Sequence, residues 1–201
     1  MQPRTLAVVA TIALIALIAG CSGDDYYMAE ASYYAEHEGF RARVWIPLHE
    51  ARSIGTYRAE VEWPDGTKTL TEAERDGMIT GVWLCDLVSD GASELVVATS
   101  SAGSGGYGSA DVHQLRDGEL RLIALRPLGD EQRPGYMGHD AFSVEDGRLY
   151  RSFPQYDEDD VNAAPSGGIR QLLYSFPDSA WVSAEGGGAT DRVMEDDSSA
   201  R

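Results

Sequence analysis

An all-β fold, in one domain built as an antiparallel β-sandwich or a partial propeller-like meander, is predicted by three observations. Apolar and polar residues alternate with period two along short segments. Asp-Gly and Pro-Asp-Gly turn signals separate those segments at short spacing. No part of the chain beyond its N-terminal apolar run carries a long helical periodicity.

The elements follow in chain order. Residues 1–20 read as a lipoprotein signal peptide: Arg4 supplies a positive charge, Leu6 to Ala19 is almost wholly apolar, and Ile18-Ala19-Gly20 places small residues before Cys21. The run is shorter than the roughly 20 apolar residues that span a bilayer. Cys21 is therefore expected to become an acylated N-terminus, carrying palmitate or similar chains that hold the protein to a membrane. Ser22 rather than aspartate follows it, which favours the outer membrane, facing the periplasm. Residues 21–39 are expected to be a polar spacer, 40–184 the β-rich domain, and 185–201, with its Gly-Gly-Gly and Glu-Asp-Asp-Ser-Ser runs, a disordered acidic tail.

Within the domain, Arg41 to Ile46 and Thr56 to Trp63 alternate as half-buried strands should, and Pro64-Asp65-Gly66 turns the chain. Glu94 to Thr99 and Ser109 to Leu115 form the next pair. Arg116 to Glu119 turns into Leu120 to Leu125. Phe142 to Glu145, Asp146-Gly147 and Arg148 to Phe153 read as a hairpin, and Ile169 to Phe176 as a further strand. Once Cys21 is acylated, Cys85 has no disulfide partner; set among Ile79 to Val88, it reads as a buried structural thiol.

Composition narrows the function. Acidic residues number 33 against 16 basic ones, for a net charge of −17, and Lys68 is the single lysine. Nucleic acid is excluded as a partner because no basic footprint exists to neutralise phosphate. His37, His49, His113 and His139 are scattered without zinc spacing, so no metal or other cofactor is assigned. Asp86, Asp90 and Glu94 resemble part of a calcium loop, but Val88 stands where a ligand belongs and an Asp-Gly turn explains the same residues.

The segment from Ser100 to Ser109 is the most informative. Gly103, Gly105, Gly106 and Gly108 leave a narrow, nearly side-chain-free loop on which Ser104 and Tyr107 are the prominent groups. A pocket needs apolar walls and convergent polar groups; this loop instead has the form of a probe that enters another molecule's pocket. Ser104 is not read as a catalytic nucleophile, because Ala102 occupies the position where the hydrolase elbow has glycine. Asp111 and His113 are near the loop in sequence only, with His113 expected at the surface, so the chain is read as a non-enzyme.

Three segments together resemble the family of periplasmic inhibitors of invertebrate (I-type) lysozyme: Ser104-Gly105-Gly106-Tyr107; Asp90 to Val97; and Phe153-Pro154-Gln155-Tyr156 with Asn162 to Gln171. The resemblance covers roughly residues 40 to 176. It implies a β-rich homodimer whose Ser104, Gly105, Gly106 and Tyr107 loop blocks the active-site cleft of an I-type lysozyme and so protects peptidoglycan. Tyr136, in a separate glycine-containing segment, is the control position: Tyr136→Ala is expected to leave inhibition intact if only the first loop enters the cleft. The lipid signal and the acidic tail depart from the family pattern. The alternative is a propeller-like cell-envelope lipoprotein that binds glycan or calcium.

Overall fold

The computed structural model describes residues 29–184, which form twelve strands in three antiparallel four-stranded meanders. The first sheet has the order β1-β2-β3-β4, from β1 (Ala29–His37), β2 (Phe40–Pro47), β3 (Gly55–Glu62) and β4 (Lys68–Arg75). The second runs β5-β6-β7-β8, from β5 (Met78–Cys85), β6 (Glu94–Ser100), β7 (Gly108–Arg116) and β8 (Glu119–Ile123). The third has the order β12-β11-β10-β9, from β9 (Ala141–Glu145), β10 (Arg148–Pro154), β11 (Ile169–Ser175) and β12 (Ala180–Ser183).

The sheets stack in three layers with the second in the middle. One core joins Val44, Ile46, Tyr57 and Val61 of the first sheet to Leu84, Leu95 and Val97 of the second. A second core joins Val96 and Val112, on the opposite face of that middle sheet, to Leu149, Phe153, Leu172 and Trp181 of the third. Alternate residues of β6 therefore face different cores, and every residue from Glu94 to Thr99 is buried. A strand covered on both faces has no solvent side to be polar, which is why Leu95-Val96-Val97-Ala98 reads as a continuous apolar run.

The expected strands are present, with ends shifted by a residue or two. The spacer expected over 21–39 is corrected in part: 29–37 is strand β1, whose Ala31, Tyr33 and Ala35 pack on the first core. Its Ala/Glu alternation is too weakly apolar to signal a strand, and Tyr33 Oη donates to the Ile79 carbonyl across the sheets (3.3 Å). The strand β4 is likewise hidden by its charges, which blunt an exposed sheet edge. Arg75 closes it by donating to the carbonyls of Ala51, Arg52, Thr56 and Gly77. The segment read as a signal peptide, Cys21, and residues 185–201, expected to be a disordered tail, lie outside the described residues.

Candidate functional site

The loop between β6 and β7 is built from its stem outward. Thr99 pairs with Ser109 and Ser100 with Gly108. The Ser101 N–H donates to the Tyr107 carbonyl (2.9 Å), and the Tyr107 N–H returns a bond to Ser101 Oγ (3.0 Å). At the tip, the Gly106 N–H reaches the Gly103 carbonyl (3.0 Å), a tight turn that sets Gly106 at φ +49°. Ser104 is exposed, and Tyr107 keeps 54% of its surface open to solvent. The four residues singled out from sequence are thus together on one ordered, outward-facing loop.

That order is imposed from outside the loop. The His139 N–H donates to the Gly105 carbonyl (2.6 Å), the Asp140 N–H to the Gly106 carbonyl (3.3 Å), and Asn162 Nδ2 to the Ser104 carbonyl (3.1 Å). The Gly108 N–H donates to Asp140 Oδ2 (2.8 Å). Gly138, at φ +95°, and His139, at φ +58°, are consecutive left-handed residues that bring the chain this close; a Cβ on Gly138 would collide with the Gly105 carbonyl oxygen.

Tyr136, chosen from sequence as a control position, packs against the loop. Its ring meets Tyr107 edge to face, with centroids 5.9 Å apart. Its hydroxyl donates to Asp140 Oδ2 (2.6 Å) and accepts from an Arg151 guanidinium nitrogen (2.8 Å), while Arg151 Nε donates to Asp140 Oδ1 (2.7 Å). Burial, together with the bond to Asp140, pushes the Tyr136 hydroxyl up to about 12, so it stays a donor at neutral pH. Arg151 lies near the rings of Tyr136, Phe142, Phe153 and Trp181 at 5.3 to 6.0 Å, which makes its buried charge tolerable. Sequence reading missed this cluster because its members pair only after three separate segments fold together.

The other candidate sites resolve differently. Asp86 accepts the N–H groups of Asp90 and Gly91, Asp90 accepts Ala92 N–H and Arg116, and Glu94 accepts Leu87 and Val88 N–H with Gln114 Nε2. These carboxylates close a turn on themselves, as the Asp-Gly reading expects, and among the described residues no acidic, His or Cys cluster fits a metal ion.

His113 is not at the surface. It is 3% exposed, with Nε2 2.7 Å from Tyr57 Oη, which also donates to Asp111 Oδ2 (2.8 Å). Burial lowers its pKa, and desolvation followed by the Asp111 charge and hydrogen bond raises that of Tyr57. This triplet lies on the core side of β7, away from the loop's exposed tip. Cys85 is half-buried and its thiol is pushed up to about 12, chiefly by desolvation and then by Glu94, which fits a structural thiol and not a nucleophile.

A cavity of about 510 Å³ opens beside the loop stem, between the second and third sheets. Arginines and apolar or aromatic groups line it, with no carboxylate, histidine or cysteine to serve as acid, base or thiol nucleophile.

A family model for the periplasmic lysozyme inhibitor of I-type lysozyme matches residues 42–127, which include the whole loop. Two solved structures are similar. Aeromonas hydrophila PliI in complex with Meretrix lusoria lysozyme is 33% identical over 42% of this chain and 74% of its own, with a TM-score of 0.39. A second structure of the inhibitor, PliI-Ah, is 33% identical over 42% of this chain and 77% of its own, with a TM-score of 0.38. No curated protein matches this chain. With the family's own model spanning the loop and its flanking strands, and that degree of identity across about three quarters of an inhibitor's length, the chain belongs to the family of periplasmic inhibitors of I-type lysozyme.

Proposed function

We propose that this protein inhibits an I-type lysozyme by seating the Ser104-Gly105-Gly106-Tyr107 loop in the enzyme's active-site cleft. The observation that carries this reading is an exposed Ser104 and Tyr107 on a loop with few side chains, bonded to the rest of the fold and lying inside the family-matched region. Lysozymes cleave between sugars with a carboxylic acid and a second carboxylate set in a groove shaped for rings. The Ser104 hydroxyl is suited to hydrogen-bond such an acid, and the Tyr107 ring to occupy a sugar subsite by stacking. The glycines between and around them let the backbone pass where an ordinary hairpin is too wide.

The test is inhibition of muramidase activity by wild type and variants. At a central, desolvated contact, Tyr107→Ala is expected to weaken binding by about 2 kcal/mol or more and Ser104→Ala by about 1 to 3 kcal/mol. Because the Tyr107 ring also touches Tyr136, its removal is expected to shift stability by about 0.5 kcal/mol, well below its effect on binding. A double variant that inhibits as well as wild type refutes the loop mechanism.

We further propose that Cys21 is acylated and tethers the inhibitor to the outer membrane, facing the periplasm, where host or competitor lysozyme reaches the wall. Cys21→Ala is expected to abolish lipid labelling; equal labelling of variant and wild type rules the anchor out. The homodimer implied by family resemblance predicts sedimentation at twice the chain mass without a disulfide, and a monomer at micromolar concentration contradicts it.

A further inference from the structure

We propose that Asp140 and Asn162 are positioning residues for the inhibitory loop, part of a cradle that orders Ser104 to Tyr107 before any partner arrives. The inference rests on the reading of that loop as the lysozyme-binding element.

Every cradle residue lies beyond residue 127, where the family match ends. Asp140 has a side chain with no solvent exposure, and its two oxygens face different structures. Oδ1 takes Arg151 Nε (2.7 Å), the ion pair that makes a buried carboxylate tolerable. Oδ2 takes the Tyr136 hydroxyl (2.6 Å) and the backbone N–H of Gly108 (2.8 Å), the residue directly after Tyr107. The carboxylate therefore ties the loop stem to the third sheet by a charge-assisted bond. At the other end, Asn162 Nδ2 holds the Ser104 carbonyl (3.1 Å), and its Oδ1 lies 3.2 Å from His139 Nε2. Between these anchors the His139 and Asp140 N–H groups hold the Gly105 and Gly106 carbonyls.

A loop with glycine at 103, 105, 106 and 108 has an unusually large backbone freedom to lose. If that freedom were lost on binding, it would subtract directly from affinity; a cradle that removes it during folding leaves the contact energy intact. The third sheet thus has a role at the site through Arg151 of β10, which pairs with Asp140.

Hydrogen–deuterium exchange on the purified protein tests the cradle, read at the amides of 101–108 and, as the internal control, at those of β6. Asp140→Asn and Asn162→Ala are expected to speed loop exchange about ten-fold while β6 protection is unchanged, and to weaken inhibition about ten-fold through slower association. Asp140→Asn leaves Arg151 without its countercharge; should that variant fail to fold, the surface change Asn162→Ala carries the test. Wild-type loop exchange in Asn162→Ala overturns the proposal, as does faster exchange with undiminished inhibition. Should the wild type inhibit no I-type lysozyme, the function proposed for the loop falls, and the exchange data alone decide the cradle.

Discussion

His113 shows how far a residue's surroundings can alter its chemistry. Burial between the first and second sheets, against Tyr57, disfavours its imidazolium, so its folded pKa lies below the ordinary value of about 6.5. As pH falls below about 6.5, the unfolded chain takes up a proton that the folded chain refuses, and stability drops by at most about 1.4 kcal/mol per pH unit until the folded pKa is reached. Glu94 acts in the opposite direction. Desolvation raises its folded pKa, so acidification through that value favours the folded state. Urea midpoints at pH 7.5 and 5.5 therefore separate the two only by comparison with a variant: His113→Gln is expected to lose less stability on acidification than wild type. An equal loss in both removes His113 from the account.

At the scale of elements, the turn from Tyr136 to Asp140 does more for the site than its sequence suggests. Its two left-handed residues, Gly138 and His139, press the backbone against the Gly105 and Gly106 carbonyls. Gly138→Ala places a Cβ against the Gly105 oxygen and strains φ, so a destabilisation of about 1 to 3 kcal/mol is expected, with loss of inhibition beyond that due to unfolding. Melting temperature and inhibition constant measured on the same preparation check this, and an unchanged inhibition constant counts against a rigid turn. The strands β6 and β7 supply the rigid platform: β6 is buried on both faces, and its ladder to β7 runs unbroken from Glu94–Gln114 to Ser100–Gly108, directly into the loop stem.

Across the whole molecule, the family-matched region contributes the loop and the strands that carry it, while residues beyond 127 contribute a third layer and the loop's outer bonds. The inner face of that layer covers Val96 and Val112 with Leu149, Phe153, Leu172 and Trp181. A chain ending after residue 127 would expose this apolar face of the middle sheet, a patch of the kind that drives aggregation. Such a chain is expected to bind a hydrophobic dye, to unfold with lower cooperativity and to lose protection at the loop amides. A monodisperse, cooperatively unfolding fragment with full inhibition would show that the third sheet is dispensable to both core and site.

The sequence by itself determined the strand-rich class, the hairpins at Asp146-Gly147 and Pro64-Asp65-Gly66, and the Ser104 to Tyr107 loop. Each of these depends on local period, turn chemistry, composition or a contiguous motif. Strands β1 and β4 were illegible because alanine, glutamate and lysine at an edge give little hydrophobic contrast, and the sheets become visible only through what they cover. Three layers in place of two, the burial of His113, and the coupling of Tyr136, Asp140, Arg151 and Asn162 to the loop were decided by tertiary structure alone. Those contacts join residues as far apart as 32 positions, in the case of Gly108 with Asp140, and 58 positions, in the case of Ser104 with Asn162. No local pattern encodes such a pairing, because each partner's own neighbours are compatible with an ordinary surface turn.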